Sequence, residues 1–233
     1  MKIDLSPYCP VKQFQIGGTC YAYAVAYTAY STQYNLTHNI SGREIIENNA
    51  FSYFYVASIV RRDYLHLIRR LADRNCSWRG TAEHSLTVLR DYGCTKISEK
   101  DFQCQDGVSY EDVQLGLKNK ITSFSIITRD FDTSKNGIKS IVDQLRGNKP
   151  VVVAVNSTTE FHEISTSTSR LTVLEPYAAN HVVAILGFDE SLFENEGAFL
   201  IKNNYPNWGD DGFCWIHCTD MMHLIDESYT ITI

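Results

Sequence analysis

The feature that most constrains the fold is a change of periodicity partway along the chain. Val151 to Val155 is a compact β-branched run set off by the breaker Gly147-Asn148-Lys149-Pro150. A run that short and that apolar reads as a buried strand. The segments 182–190 (VVAILGFDE), 198–204 (AFLIKNN) and 212–218 (GFCWIHC) read as further strands separated by Gly, Asp, Asn and Pro. The first half has no such runs. From Thr19 to about Tyr34 there is neither Gly nor Pro; Ala22, Ala26 and Ala29 fall along one side, with Tyr23, Tyr27 and Tyr34 at helical spacings. This predicts a largely buried helix beginning at Thr19 or Cys20. Ser41 followed by Glu44 reads as a capping box opening a helix toward Asn49. Phe51 to Asp73 continues as helical material, and Ala82 to Tyr92 fits a helix closed by Gly93. Ile138 to Arg146 fits a short amphipathic helix. The expectation is an α+β chain, with a helical lobe over about 1–110 and a β-rich lobe over about 111–233 acting as one domain, 1–233.

With 233 residues, 44% of them hydrophobic and 12% aromatic, the chain can bury a sizeable core. Charged residues are interspersed and the formal net charge is -6, without a Lys/Arg-rich block. Neither nucleic acid nor an anionic membrane is therefore an expected partner. No stretch approaches the roughly 18 apolar residues of a membrane span, and the N-terminus lacks the apolar core of a secretory signal. This reads as a soluble protein, cytoplasmic or exported by a signal-independent route, with its oligomeric state open. Seven cysteines are an odd count, so at least one stays a thiol unless it pairs between chains. The sequons at Asn35, Asn39, Asn75 and Asn156 are short patterns of little weight.

Chemistry concentrates in three segments. In QFQIGGTCYAYA, Cys20 stands at the start of the predicted helix. There it reads either as a small packed apolar residue or as a nucleophile, because a helix N-terminus favours the thiolate. A thiolate nucleophile needs a base, and the base needs a group that orients its ring. His181 in NHVVAILGF and Asn203 in IKNNYPNWGDDGF supply both, in the order Cys, His, Asn.

These residues resemble the papain-like, cathepsin-type cysteine peptidases over most of the chain. GGTCYAYA is similar to the family's nucleophile segment, RGTAEHSLTVLRDYG (79–93) to its Gly-rich substrate-binding segment, and IVDQLRGNKPVVVAVN to its helix, turn and valine-rich strand. Asn180-His181-Val182-Val183 matches its base segment; Lys202-Asn203-Asn204-Tyr205 followed by Trp208-Gly209-Asp210-Asp211-Gly212-Phe213 matches its asparagine segment. The resemblance implies a two-lobed fold, helical then antiparallel and β-barrel-like, with an active-site cleft between the lobes. It implies a protein or peptide substrate, no cofactor and no metal. Cys20, His181 and Asn203 take the catalytic roles, with Gln15 as oxyanion donor; Gly80, Thr81, Ala82, Asn180 and Trp208 fall at substrate-binding positions.

Several departures qualify that reading. The family's glutamine lies six residues before the nucleophile, where this chain has Phe14, so Gln15 or Gln13 takes the role. Tyr205 replaces a tryptophan that shields the Asn–His pair. The separations from Cys20 to His181 and Asn203 exceed the roughly 130–150 residues usual for such enzymes, and 157–179 is one expected insertion. Gly17 stands where many members have a disulfide cysteine, which favours a reducing compartment or a branch without those bridges. Met1 lies only about twenty residues before the nucleophile, so no inhibitory propeptide is expected within this chain. His38, His66, His84, His162, His217 and His223 read as surface or core residues. A zinc site from Cys214, His217, Cys218 and His223 is disfavoured, since on one strand His217 faces away from the two cysteines. Two alternatives stay open: another acyl transfer on the same fold (isopeptide cleavage, deamidation or transamidation), or a non-catalytic binding module.

Overall fold

The computed structural model describes residues 1–64, 76–78, 80–172 and 178–233. The predicted helical stretch 65–73, the Asn75 sequon and residues 173–177 of the expected insertion lie outside them. The chain divides into two compact units, Tyr8–Phe124 with Thr232–Ile233, and Met1–Pro7 with Ser125–Ile231.

The first unit is built on one helical run composed of Cys20–Ala22, a π-helical stretch Tyr23–Tyr30, and Ser31–Thr37. It starts where the sequence places it and ends three residues beyond Tyr34. Every side chain from Tyr21 to Thr32 is buried, so apolar and aromatic packing holds the run from all sides. The Ser31 hydroxyl donates to the Ala26 carbonyl at 3.0 Å and Thr32 to Thr28 at 2.6 Å. Such back-bonding supports carbonyls that a wide helix leaves poorly paired.

The expected Ser41 cap is corrected. The helix there is Arg43–Asn48, and Gly42 occupies the cap position at φ 91 with no side-chain hydrogen bond. Only glycine takes that backbone cheaply, and it turns the chain so that Ser41 stays outside. The next helix, Tyr53–Tyr64, starts after Phe51, which instead bridges to Lys96. Ala82–Asp91 is capped by Thr81, whose side chain accepts from the His84 N–H while its own N–H meets the His84 ring. Gly93 closes it at φ 70; a Cβ there would meet the Gly116 carbonyl at 2.0 Å. Tyr110–Gly116, capped by Ser109, is a helix that the sequence reading missed.

A disulfide joins Cys76 to Cys104 in this unit. It does not involve the Gly17 position, and it settles a pairing the sequence left open: Cys76 finds a partner 28 residues on, which no local pattern announces.

The second unit carries an eight-stranded sheet in the order β2-β8-β3-β5-β6-β7-β4. Its strands are β1 Lys2–Asp4, β2 Ser123–Arg129, β3 Val151–Val155, β4 Thr168–Ser169, β5 His181–Asp189, β6 Ala198–Lys202, β7 Phe213–His217 and β8 Ile225–Thr232. β1 pairs β5 off that path, and β4 with β7 is parallel where the other registered pairs are antiparallel. The predicted strands appear as β3, β5, β6 and β7. β1 and β2 escaped prediction because β1 is three residues long with none buried and β2 buries only Thr128; β8 mixes buried and half-buried positions and charged residues, so no compact apolar run marks it. All nine β5 residues are buried, since β3 and β1 pair along one edge and β6 along the other. The helix Lys135–Arg146, capped by Ser134, begins three residues before its predicted start. Cys218 opens the helix Cys218–Met222 rather than continuing the β7 strand, so the expected shared face with Cys214 is not formed. Among the described residues no helix is long and apolar enough to cross a membrane.

Candidate active site

In the helical unit, Cys20 is the first residue of the central helical run and is half-buried. The loop before it is tied at two points. Thr19 donates its hydroxyl to the Ile16 carbonyl at 2.8 Å, and the Gly18 N–H donates to the Cys76 carbonyl at 2.7 Å. The second bond ties the loop before Cys20 to disulfide-bonded Cys76. Gly80 lies against the ring of Tyr21, the neighbour of Cys20: a Cβ at position 80 would sit 2.7 Å from that ring, which is 1% exposed and has nowhere to go. Gly80→Ala is expected to lower stability by about 1–3 kcal/mol, read as a fall in the urea midpoint. An unchanged midpoint would show that the ring yields. Thr81 is exposed, with its hydroxyl used as a helix cap, and Ala82 is buried.

Three tyrosines and one carboxylate hold the chain just ahead of Gln15. The Tyr23 hydroxyl donates to the Gln13 carbonyl, and Tyr53 donates to the Phe14 carbonyl at 2.9 Å. Tyr27 accepts from the Gln13 N–H at 3.0 Å and donates to Glu47 at 3.1 Å. Burial pushes all three phenols to higher pKa, so they remain donors at any ordinary pH. Glu47 is buried and also accepts from the N–H groups of Val11 and Lys12 at 2.8 and 3.3 Å. Removing it strands these donors together, so Glu47→Ala is expected to cost about 2–4 kcal/mol by chemical denaturation. A loss below about 0.5 kcal/mol would mean that water replaces the carboxylate. The Gln15 side chain donates to the Gly17 carbonyl at 3.0 Å. No side-chain hydrogen bond fixes Gln13 in the same way among the described contacts.

The other thiols differ from Cys20 in setting. Cys94, Cys214 and Cys218 are buried, and burial pushes Cys214 up to about 12 and the other two upward as well. They stay protonated and inert.

In the sheet unit, His181 opens β5 opposite Val155 and is 3% exposed. Its Nε2 lies 2.9 Å from Asn203 Oδ1, and the Asn204 backbone N–H reaches the same atom at 2.7 Å. A backbone N–H can only donate, so that atom is the amide oxygen. Nε2 therefore carries the proton and Nδ1 the lone pair. The Tyr205 ring lies flat on the imidazole, with centroids 4.9 Å apart and planes 8° apart, and its hydroxyl is 3.4 Å from Nδ1. Burial lowers the His181 pKa to about 4; the Asn203 bond opposes this, and His162 adds to it.

Asn203 follows β6, is fully buried, and donates its N–H to the Gly212 carbonyl at 2.9 Å. That return is possible because Gly212 sits at φ 84, where a Cβ would meet Lys202 Nζ at 2.2 Å. Lys202 is itself buried, bonds the Asn203 carbonyl at 3.1 Å and lies over the Phe213 ring. Trp208 is 1% exposed; its indole N–H donates to the Phe161 carbonyl at 2.6 Å, and Phe161 in turn stands edge-on to His181. The Trp208 ring also packs against that of Phe161, with centroids 5.3 Å apart. Asn180 is spent on Ser157, accepting from its N–H at 2.9 Å and from its hydroxyl at 2.6 Å.

The sheet unit thus places Asn203 on His181, with Asn180 next to it in the chain and Trp208 reaching it through Phe161; the helical unit carries Cys20, with Gly80 against its neighbour Tyr21 and Gln15 bonded to Gly17 in the preceding loop. Sequence reasoning set His162 aside as a surface or core residue, yet its ring centroid is 5.9 Å from that of His181. It follows β3 through a short capped helix, Thr159–His162, and no spacing rule connects it to position 181.

A helical unit with a thiol at a helix start, and a sheet unit with an asparagine-bound imidazole, define an α+β protein with the papain-like fold. The chain belongs to the papain family of cysteine proteases, whose family model matches residues 6–232. Its structure is similar to digestive procathepsin L 3 of the Tenebrio molitor larval midgut, at 15% identity and a TM-score of 0.72, covering 100% of this chain and 69% of that one. It is also similar to xylellain, a cysteine protease from Xylella fastidiosa, at 18% identity and a TM-score of 0.73, covering 99% and 85%. The bromelain protease of Ananas comosus, in complex with the E64 inhibitor, gives 15% identity and a TM-score of 0.72, covering 100% and 98%. At such identities the likeness speaks for the fold. Compared by sequence with curated proteins, the chain matches none.

Proposed function

We propose that residues 1–233 act as one cysteine peptidase domain, hydrolysing peptide bonds through a thioester on Cys20. The observation that carries the reading is the His181–Asn203 pair. With Nε2–H committed to the amide oxygen, Nδ1 is the nitrogen that exchanges protons. Nδ1 takes the Cys20 proton, and the thiolate attacks the scissile carbonyl carbon. Burial alone opposes a charged His181; the thiolate is the counter-charge that makes the imidazolium tolerable. The oxyanion is met by the Cys20 N–H and by Gln15, whose amide turns from the Gly17 carbonyl toward it. His181 then protonates the leaving amine, leaving the thioester. Water gives a proton to Nδ1, attacks, and releases the acid and the thiol. Gly80 holds the substrate backbone, with Thr81 and Ala82 beside it; Asn180 and Trp208 support the imidazole.

The test is product identity. The protein is incubated with a peptide library, a ubiquitin-like conjugate and glutamine-containing peptides, and the products are read by mass spectrometry. New peptide termini are expected. Only Gln-to-Glu conversion or amine transfer would replace hydrolysis by deamidation or transamidation, and cleavage confined to the conjugate would make it an isopeptidase. No product at all, with no selective alkylation of Cys20 at mildly acidic pH, would leave a binding module.

A further inference from the structure

We infer that His162 is a positioning residue for His181, anchored through Ser157 to Asn180 and bracing the tyrosine that lies on the base. The inference rests on the proposed role of His181. Its geometry lies wholly within the sheet unit. Asn180, adjacent to His181 in the chain, accepts both the N–H and the hydroxyl of Ser157 through Oδ1, and its own amide N–H donates to the Ser157 carbonyl at 3.2 Å. The Ser157 hydroxyl proton is therefore spent on Asn180. Toward His162 Nε2, 2.9 Å away, the oxygen of Ser157 can only accept. Nε2 of His162 is thus protonated and its ring is held in one orientation, although the residue is exposed.

The held ring stands 5.5 Å from Tyr205 and 5.9 Å from His181, while Tyr205 lies flat on His181. Three rings thus share one cluster, and two of them are fixed by hydrogen bonds that do not involve the third: His181 by Asn203, and His162 by Ser157. The three centroids form a near-equilateral triangle, so Tyr205 rests against both anchored imidazoles, flat on one and tilted to the other. Without His162 it can tilt, and water then reaches the Nδ1 side of His181. Among the described residues, the titratable groups facing His181 are His162, from the Thr159–His162 helix, and Tyr205, from the loop after β6; Asp226 of β8 lies against the Ala179 N–H at 3.4 Å.

The test uses His162→Leu, Ser157→Ala and His162→Gln, the last keeping an N–H donor for Ser157. His162→Leu and Ser157→Ala are expected to lower kcat about tenfold with KM within about twofold, inside the roughly 100-fold that a misplaced group can cost. His162→Gln is expected to recover most of the loss. In parallel, ¹⁵N spectra of the His181 ring follow its tautomer and titration without reference to turnover. The two disruptive variants should move the His181 pKa from about 4 toward the ordinary histidine value, and His162→Gln should not. Wild-type kcat together with an unchanged His181 spectrum in His162→Leu would overturn the inference, as would a loss that His162→Gln leaves unrepaired. If the wild type turns over no substrate, the peptidase reading fails by itself, and the His181 spectra alone decide the role of His162.

Discussion

Cys20→Ala is expected to reduce peptide turnover by on the order of a millionfold, the scale seen when one member of a covalent catalytic set is removed from a working site. The expectation rests on the lack of a substitute. Cys9 is buried with its thiol donating to the Pro10 carbonyl, Cys94, Cys214 and Cys218 are buried with raised pKa values, and Cys76 and Cys104 are bonded to each other. Cys20 heads the central helical run, where a developing thiolate is favoured, and it remains partly accessible. Initial rates on a fluorogenic peptide should fall to background while the circular dichroism spectrum and urea midpoint stay close to wild type. Persistent thiol-dependent cleavage in the alanine protein would move the nucleophile elsewhere and end the proposed mechanism. Full loss of folding would be recognised by the same two controls, and Cys20→Ser then provides the second variant.

The second large effect is on acid stability. His181 ordinarily titrates at 6.5, but burial holds it neutral in the fold down to about 4. Between those values the unfolded chain binds a proton that the native chain refuses. Stability therefore rises with pH across this window and is lost as pH falls from about 6.5 to about 4. The full difference is about 3 kcal/mol at roughly 1.4 kcal/mol per unit. Carboxylates contribute their own acid dependence, so the measurement is a comparison. Urea unfolding of wild type and His181→Gln is followed from neutral pH to about pH 4. The wild type should lose about 3 kcal/mol more than the variant, with the gap opening below about pH 6.5. Parallel curves would mean that the imidazole is solvated after all, and the burial argument for its neutral resting state would go with it.

Much of this molecule can be read from short-range pattern. Val151–Val155 is a strand at its predicted bounds because a run of only five apolar residues, four of them β-branched and set off by a proline, fits a strand buried on both faces. The central helical run starts at Cys20 because an uninterrupted Ala/Tyr stretch follows a Gly-Gly-Thr turn. The Ser41 cap failed for an equally local reason: Gly42 adopts a left-handed backbone that the capping-box pattern does not anticipate.

The partner of each candidate group is a different matter. That a cysteine, a histidine and an asparagine follow one another in three recognisable segments is written along the chain, and so is the choice of those residue types for thiol chemistry. Which nitrogen of His181 holds the proton depends on Asn204 pointing its backbone N–H at the same oxygen, within a turn returned by Gly212. The phenols that hold Gln13 and Phe14 come from positions 23, 27 and 53, the bridge to Cys76 comes from Cys104, and His162 reaches Asn180, the neighbour of His181, through Ser157. Periodicity reports which face of an element is apolar, because burial is a property of neighbours a few residues apart. Directional bonds between distant segments are made only when the packed backbone brings single atoms within about 3 Å, and no spacing along the chain encodes that approach.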